Sequence, residues 1–437
     1  MDREAGQGLA SGTFDSGPRR KHAGCSAHGS DQGTTTFRRH AALDNPFRFP
    51  HSQMGTVTNA VRWVLVTVLA LHGLLHVLGL LKGFGWAQVS QLQEPIGQAE
   101  GVVWLSATLL VLAAAGILAT GAPTWWWAGA LVAAAVSQIA IVTSWSDAKA
   151  GTAVNVLLVL AAVYAFASAG PTSFHAQWAH QARRALADVD PTPSLVTEAD
   201  LAHLPDPLAA YVRRSGAVGQ PRVTSLDASL HGRIRGGPDQ AWMPFTGRQI
   251  STYGPRPQRA FIMDATRSGL PITVLHQFAG TTATMRAKAV SLVPVVDAAG
   301  PEMDRGETVT VFNDLVMLAP GAIADAPVRW TPMDAHHVRG DFTDGDQTVS
   351  ALLTFDDKYD LIDFTSDDRL RASADGTSFT PQTWSTPLSE HRDDDGRRIL
   401  VTGEAKWHAP QPEGTFTYVE LVLDDISYNV PDVDDAR

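Results

Sequence analysis

The stretch WVLVTVLALHGLLHVLGLL, from Trp63 to Leu81, sets the architecture of this chain. It contains no Asp, Glu, Lys or Arg, and its 19 residues, at about 1.5 Å each in a helix, nearly match a hydrocarbon core of about 30 Å. Three further uncharged apolar runs follow, at 101–119, 125–145 and 152–169. We therefore predict four membrane-spanning helices and a lipid bilayer as partner.

The distribution of positive charge predicts the orientation. Lys and Arg are concentrated before the first run, and Arg183 and Arg184 follow the fourth. The positive-inside rule then places both termini in the cytoplasm and the protein in the cell membrane as a multi-pass chain. Met54 lies just before the first run, and we expect translation to begin there. With that start, three Lys and Arg residues near the spans lie on the cytoplasmic side and two lie on the other side, so the charge bias is smaller.

Composition divides the chain into unlike parts. Residues 1–56 are polar and low in apolar periodicity and are expected to be disordered, as are 432–437. Between them we expect a four-helix membrane domain at 57–170, juxtamembrane helices at 171–216 and a β-rich soluble domain at 217–431. The residues after 171 carry 24 Lys and Arg against 37 Asp and Glu, a net charge of −13, which argues against nucleic acid as a partner.

Two histidines stand on one face of the first span. His72, His76, Gly79 and Gly83 follow a spacing of i, i+4, i+7 and i+11, which is typical of close helix packing. An i, i+4 histidine pair can chelate one metal ion, but no other span contains a histidine that could complete a haem or metal site. We expect no metal and no cofactor, and instead hydrogen bonds across the bundle to Ser137, Gln138 or Asn155.

The turn between the third and fourth runs contains Asp147 and Lys149. One interpretation is a solvated hairpin at the membrane surface. The other is that this turn and the first loop, with Gln91, Gln93 and Glu94, line a polar mouth over the bundle on the non-cytoplasmic side.

Several strings resemble an uncharacterised bacterial membrane-protein family. They are HGLLHVLGLLKGFG at 72–85, QLQEPI at 91–96, the 144–155 segment, LAAYVR at 208–213, VPVVD at 293–297 and GEAKW at 403–407 with Tyr418. The resemblance implies a four-helix start and a downstream domain of unknown function, and it implies no activity. This chain departs from the family around 313–318, where an aromatic residue and a Glu are expected.

After the fourth run the pattern becomes amphipathic and then alternates with period two. The stretch 173–186 predicts an amphipathic helix that lies along the headgroups. Thr197 and Asp200 predict a capping box at the start of a short helix, and Asp206 with Pro207 predicts the start of another helix. Strands are predicted at 223–235, 245–253, 259–265, 272–278, 282–296, 329–330, 337–342, 348–355, 361–366, 399–407 and 416–428. One helix interrupts them, opened by Asp304 and ended by Pro320.

The predicted fold is therefore multi-domain: an all-α four-helix transmembrane bundle, then an α+β domain with a curled antiparallel sheet and one inserted helix. Such a sheet resembles the half-barrels of lipoprotein-carrier and VioE-type folds, which hold apolar cargo in their concave face. This is an analogy between folds and assigns no function.

No motif in the sequence identifies a chemistry. Nucleophile elbows, Walker loops, zinc-protease and dinucleotide fingerprints are all absent from the 437 residues. Core packing is the first interpretation of Trp242, Trp330, Trp384 and Trp407, and an aromatic-lined ligand site is the second. The preferred hypothesis is a non-catalytic, membrane-anchored binder of a lipid or other hydrophobic ligand; the alternative is a membrane enzyme using polar residues of the bundle.

Overall fold

The computed structural model of the chain describes residues 52–189 and 192–433. Its N-terminal part consists of apolar helices: α1 (Ser52–Leu75), α2 (Val77–Gly83), α3 (Gln98–Thr120), α4 (Trp126–Thr143), the single turn α5 (Trp145–Ala148) and α6 (Gly151–Ala169). Four helical segments are long and apolar enough to cross a membrane, the first formed by α1 with α2 and the last by α6 running on into the next helix. The predicted disorder of the tail concerns mainly residues 1–51, which lie outside the described part, while 52–56 belong to α1.

Small side chains bring these helices close together. A Cβ on Gly79 would lie 2.0 Å from the Trp104 ring, and one on Gly83 would lie 2.8 Å from the Gly101 Cα. Ala130 and Ala133 of α4 are fully buried in the same bundle. Close approach gives the helices extensive van der Waals contact with one another.

An amphipathic helix, α7 (Phe174–Ala187), follows α6 after four residues. Its N-cap is Ser173, whose Oγ accepts a hydrogen bond from the Ala176 N–H. We expected its apolar side on lipid headgroups, and this was wrong. Trp178, Ala182 and Leu186 pack against the sheet instead. A 3₁₀ turn (Glu198–Leu201), with the predicted Thr197–Asp200 capping box, and α8 (Asp206–Arg214) lead into the β domain.

Sixteen strands make up the β structure of the described residues. They are β1 (Ser225–Ile234), β2 (Met243–Thr252), β3 (Gln258–Arg267), β4 (Leu270–Ala279), β5 (Thr282–Ala289), β6 (Val293–Ala299), β7 (Val328–Pro332), β8 (His337–Asp344), β9 (Gln347–Phe355), β10 (Leu361–Ser366), β11 (Leu370–Ala372), β12 (Phe379–Pro381), β13 (Trp384–Ser385), β14 (Leu388–Asp394), β15 (Arg397–His408) and β16 (Thr415–Tyr428).

Fourteen of these strands form one antiparallel sheet in the order β6-β5-β4-β3-β2-β1-β16-β15-β13-β10-β9-β8-β7, with β14 also on β15, and β11 pairs with β12. The predicted single strand at 282–296 is in fact β5 and β6. The chain reverses at Val290 and Ser291, whose φ angles of 46° and 58° are left-handed and break the extended run. Alternation alone does not reveal this turn, because it contains no Gly or Pro.

The sheet curls into a half-barrel around one helix, α9 (Pro301–Leu318), as predicted. Strands β1 to β6 have an upper end, with the β2–β3 and β4–β5 turns, and a lower end, with the β1–β2, β3–β4 and β5–β6 turns. Helix α9 crosses the concave face at the upper end, where Phe312 packs against Phe342 and Phe364. Helix α7 covers the convex face of β2 to β4.

Candidate functional site

The four tryptophans singled out as ligand-binding candidates do not converge on one surface. Trp384 and Trp407 are neighbours across β13 and β15, both buried, and both contact Tyr418. Trp330 packs on Phe312 of α9, with ring centroids 5.8 Å apart. Trp242 lies apart, under the guanidinium groups of Arg233 and Arg235 at 4.5 and 4.4 Å. These positions favour core packing for three of them.

The two histidines of the first apolar segment join a hydrogen-bonded network across the bundle, as we expected. The Nε2 atom of His72 lies 3.1 Å from Ser137 Oγ and 3.3 Å from Asn155 Oδ1. His76 Nε2 lies 2.8 Å from the same Ser137 Oγ. Asn155 in turn donates to Gln138 Oε1 at 2.9 Å. The network satisfies most of these buried polar groups within the helices, which is the usual state of buried polar side chains.

Two buried ring nitrogens near that network stand out. His76 Nδ1 and Trp104 Nε1 have no hydrogen-bond partner among the described residues. The two rings lie edge to face, 5.2 Å apart.

The turn that carries Asp147 closes one end of the bundle. The Asp147 carboxylate accepts hydrogen bonds from the backbone N–H groups of Gln93 and Glu94, and these bonds, the Glu94 N–H foremost, lower its pKa. Ser146 Oγ donates to Glu94 Oε1 at 2.6 Å, and Lys149 is exposed. The loop and the turn are thus tied together as a polar cap.

A buried charged cluster fixes α9 in the concave face. Arg259 of β3 donates from Nη1 to Glu307 Oε1 at 2.9 Å and from Nε to Asp314 Oδ2 at 2.8 Å. His276 Nε2 of β4 lies 3.0 Å from Glu307 Oε2, and Gln249 donates to Asp314 at 2.7 Å. Glu307 has no exposed surface and Arg259 is 7% exposed. The cluster is therefore an internal clamp between sheet and helix.

The space beside α9 is small. A cavity of about 80 Å³ is lined in part by Tyr253, Val311, Leu315 and Phe342. Sites for drug-sized ligands usually measure about 300–1,000 Å³. Among the described residues, this cavity beside α9 is therefore smaller than the usual site for a drug-sized ligand.

The lower half of the concave face is different. Arg259 points to α9, and alternation along β3 puts Phe261, Met263 and Ala265 on the same face. They belong to an apolar cluster separate from the main core, here called the lower concave cluster. Its buried members are Leu230, Phe245, Met263 and Ala265, and its partly exposed members are Ile234, Phe261, Ile272, Val274 and Val419. No residue of α9 belongs to it. It is an apolar and partly open surface.

Sequence reasoning missed this cluster, although a signal was present. In β3 the concave Phe261 and Met263 alternate with the convex Ala260 and Ile262, so the strand is apolar on both faces. A strand of this kind needs cover on both sides. Helix α7 covers Ala260 and Ile262, and the cover on the concave side is incomplete.

Among the described residues, no three His, Cys, Asp or Glu side chains are grouped in a way that could hold a metal ion.

The fold and these sites together describe one kind of protein: an apolar four-helix segment followed by an antiparallel half-barrel that wraps one helix. Residues 194–421 match the model of DUF6544, a family of unknown function. The chain belongs to this family. The match covers the β domain and its approach, while the helical strings at 72–85 and 91–96 lie outside it.

A comparison with curated proteins found no match. Among solved structures, one similar chain is a domain from Vibrio parahaemolyticus provisionally described as an outer membrane lipoprotein-sorting protein domain. It is 11% identical, covers 48% of this chain and 87% of that one, and superposes with a TM-score of 0.29. A likeness of this size carries no argument about function.

Proposed function

We propose that this chain is a membrane-anchored, non-catalytic protein whose β domain binds a lipid or another hydrophobic ligand on the lower concave cluster. The observation that carries the proposal is a partly exposed apolar surface inside a curled sheet, next to a helical segment able to cross a membrane. An apolar ligand that covers Phe261, Ile272 and Val274 removes their exposed surface from water, worth about 25 cal/mol per Å².

The lower concave cluster replaces the four tryptophans as the ligand-contacting surface in this proposal. Trp242 alone of the four remains a candidate, because it lies in the β1–β2 loop at the same lower end. The anchoring helices, with both termini on the cytoplasmic side, belong to the proposal as well.

Photocrosslinking tests the proposal. The full chain is extracted with its surrounding lipid in polymer discs, after incorporation of a phospholipid that carries a photoreactive group at the end of its acyl chain. We expect crosslinks at Phe261 and Val274 in addition to those on the spans. Ile272→Asp should abolish the sheet crosslinks. Thr284→Asp is the matched control on the convex face of β5 and should leave them unchanged.

Crosslinks confined to α1–α6 would overturn the proposal, since they would show lipid around the anchor and none on the sheet.

A second candidate function is a membrane enzyme that uses the bundle. It is favoured by two unpartnered ring nitrogens, His76 Nδ1 and Trp104 Nε1, which could meet a polar substrate between α2 and α3. The test is an absorbance spectrum and metal analysis of the purified protein, together with the phenotype of His76→Ala. A colourless, metal-free protein whose His76→Ala variant behaves as wild type would exclude this candidate.

A further inference from the structure

We propose that the lower end of the β domain is a membrane-docking surface that inserts apolar turn residues into the bilayer on the side where α6 ends. This surface, called the membrane edge, consists of Leu270, Leu292 and Val293 with Arg267 and Lys288. The inference rests on the membrane anchoring in the proposed function and goes beyond it, because it assigns a lipid contact to the soluble domain itself.

Exposed apolar side chains are concentrated at the β3–β4 and β5–β6 turns. Leu270 follows the β3–β4 turn and is 57% exposed, while Leu292 and Val293 follow the β5–β6 reversal and are 48% and 53% exposed. Large apolar groups at the tips of neighbouring turns are costly in water, and contiguous patches of this kind mark interaction sites. They form the rim of the lower concave cluster.

The chain path places this rim beside the membrane. Only residues 170–173 separate the end of α6 from the start of α7. At the start of α7, His175 forms a pair with Asp264 of β3 at 3.2 Å, and the Phe174 ring lies 4.7 Å from the Lys288 Nζ atom of β5. Asp264 and Lys288 are both near the lower ends of their strands. The lower end of the sheet is thus held at the point where the last span emerges.

The charges of the rim suit a lipid surface. Arg267 and Lys288 flank the two turns, and the segments 266–273 and 288–296 contain no Asp or Glu. Apolar residues framed by cations are the pattern by which peripheral segments bind anionic bilayers. The domain as a whole is acidic, whereas these two segments are locally cationic. The difference distinguishes this edge of the sheet as the one suited to an anionic bilayer.

Depth-dependent quenching tests the inference on the full chain. Cys25 is the sole cysteine, so Cys25→Ser gives a background in which Leu270→Cys or Leu292→Cys carries a polarity-sensitive fluorophore. The protein is reconstituted into vesicles of phosphatidylcholine and phosphatidylglycerol that contain acyl-chain nitroxide lipid. We expect blue-shifted emission and several-fold stronger quenching at both positions than at Thr282→Cys. Thr282 is exposed at the opposite end of the same β4–β5 pair, about 30 Å away along the strands.

Leu109→Cys on α3, which is 60% exposed, reports anchoring separately. If the label at 109 is quenched and those at 270 and 292 behave like the label at 282, the membrane edge is wrong and the anchor stands. If the label at 109 escapes quenching, the anchoring on which both proposals rest is wrong.

Discussion

Arg259 on β3 and Glu307 on α9 form a buried ion pair with an Nη1–Oε1 distance of 2.9 Å. The pair joins the sheet to the helix that occupies the upper half of its concave face, and Asp314 and His276 extend it on either side. A ligand on the upper concave face would have to break it. The clamp is therefore the reason that the lower concave cluster, and not the space under α9, is the better ligand surface.

Removal of one partner of this clamp should destabilise the β domain strongly. Glu307→Gln leaves the Arg259 charge buried and poorly compensated, and we expect a loss of about 3–5 kcal/mol in the free energy of unfolding. The measurement is urea unfolding followed by pulse proteolysis of the 217–433 region. Glu302→Gln, exposed in the first turn of the same helix, is the control and should cost less than about 1 kcal/mol. Equal effects of the two substitutions would contradict a structural role for the clamp.

The same carboxylate predicts acid sensitivity. Burial alone would raise the pKa of Glu307, but the charges of His276 and Arg259 outweigh it and lower the pKa to about 2, from an ordinary value of 4.5. Its stabilising contribution is then complete above the ordinary value and is lost as the pH falls toward 2.

Thermal unfolding as a function of pH checks this expectation. The Tm of the β domain should fall as the pH drops from the ordinary pKa of Glu307, 4.5, toward 2. The slope of Tm against pH should be shallower in the Glu307→Gln variant. Asp360, whose pKa the hydrogen bonds from Arg214 and Arg398 lower against the effect of burial, acts in the same direction. Asp314 acts oppositely, since burial raises its pKa. A slope unaltered by Glu307→Gln would show that other groups determine the acid limit.

The approach of α2 to α3 depends on Gly79. A methyl group at this position would collide with the Trp104 ring, which is itself buried, so we expect Gly79→Ala to destabilise the bundle by about 1–3 kcal/mol. A methyl group on Gly116 of α3 would meet no atom within 4 Å, and Gly116→Ala is the control. Thermal unfolding in detergent measures both. A Gly79→Ala variant as stable as Gly116→Ala would refute the close crossing.

The histidine network should depend on Ser137, because both His72 and His76 approach its hydroxyl. Ser137→Ala removes this shared partner, and we expect a loss of about 1–2 kcal/mol in bundle stability. Ser106→Ala is the control, since the Ser106 hydroxyl bonds only the Val102 carbonyl of its own helix in the described structure. The same detergent melts compare the two. Indistinguishable melting temperatures would mean that the network contributes little to packing.

Much of the architecture could be predicted because its signals are local. The uncharged run from Trp63 to Leu81 predicts a helix, and period-two alternation predicts most of the strands. The predictions are less accurate where the local signal is weak. The Val290–Ser291 reversal uses residues that rarely adopt positive φ, and the pair β11–β12 is only three residues long on each side.

The candidate site is less predictable than the fold. Trp330, Trp384 and Trp407 are conspicuous as large aromatic residues, but their neighbours place them in the core. Phe261 and Val274 have no distinctive residue type, and only the incomplete cover of their face makes them candidates. Which surface stays open depends on elements distant in sequence.

Neighbouring residues alone establish the apolar helices and the alternating strands, because the helix and strand periodicities are local properties of the chain. Contacts between distant segments establish the rest: α9 lies in the concave face, α7 lies on the convex face rather than on lipid, and the lower concave cluster remains partly open. An amphipathic surface needs an apolar partner, but its sequence does not say which partner. That choice is made by the long-range packing of sheet against helix.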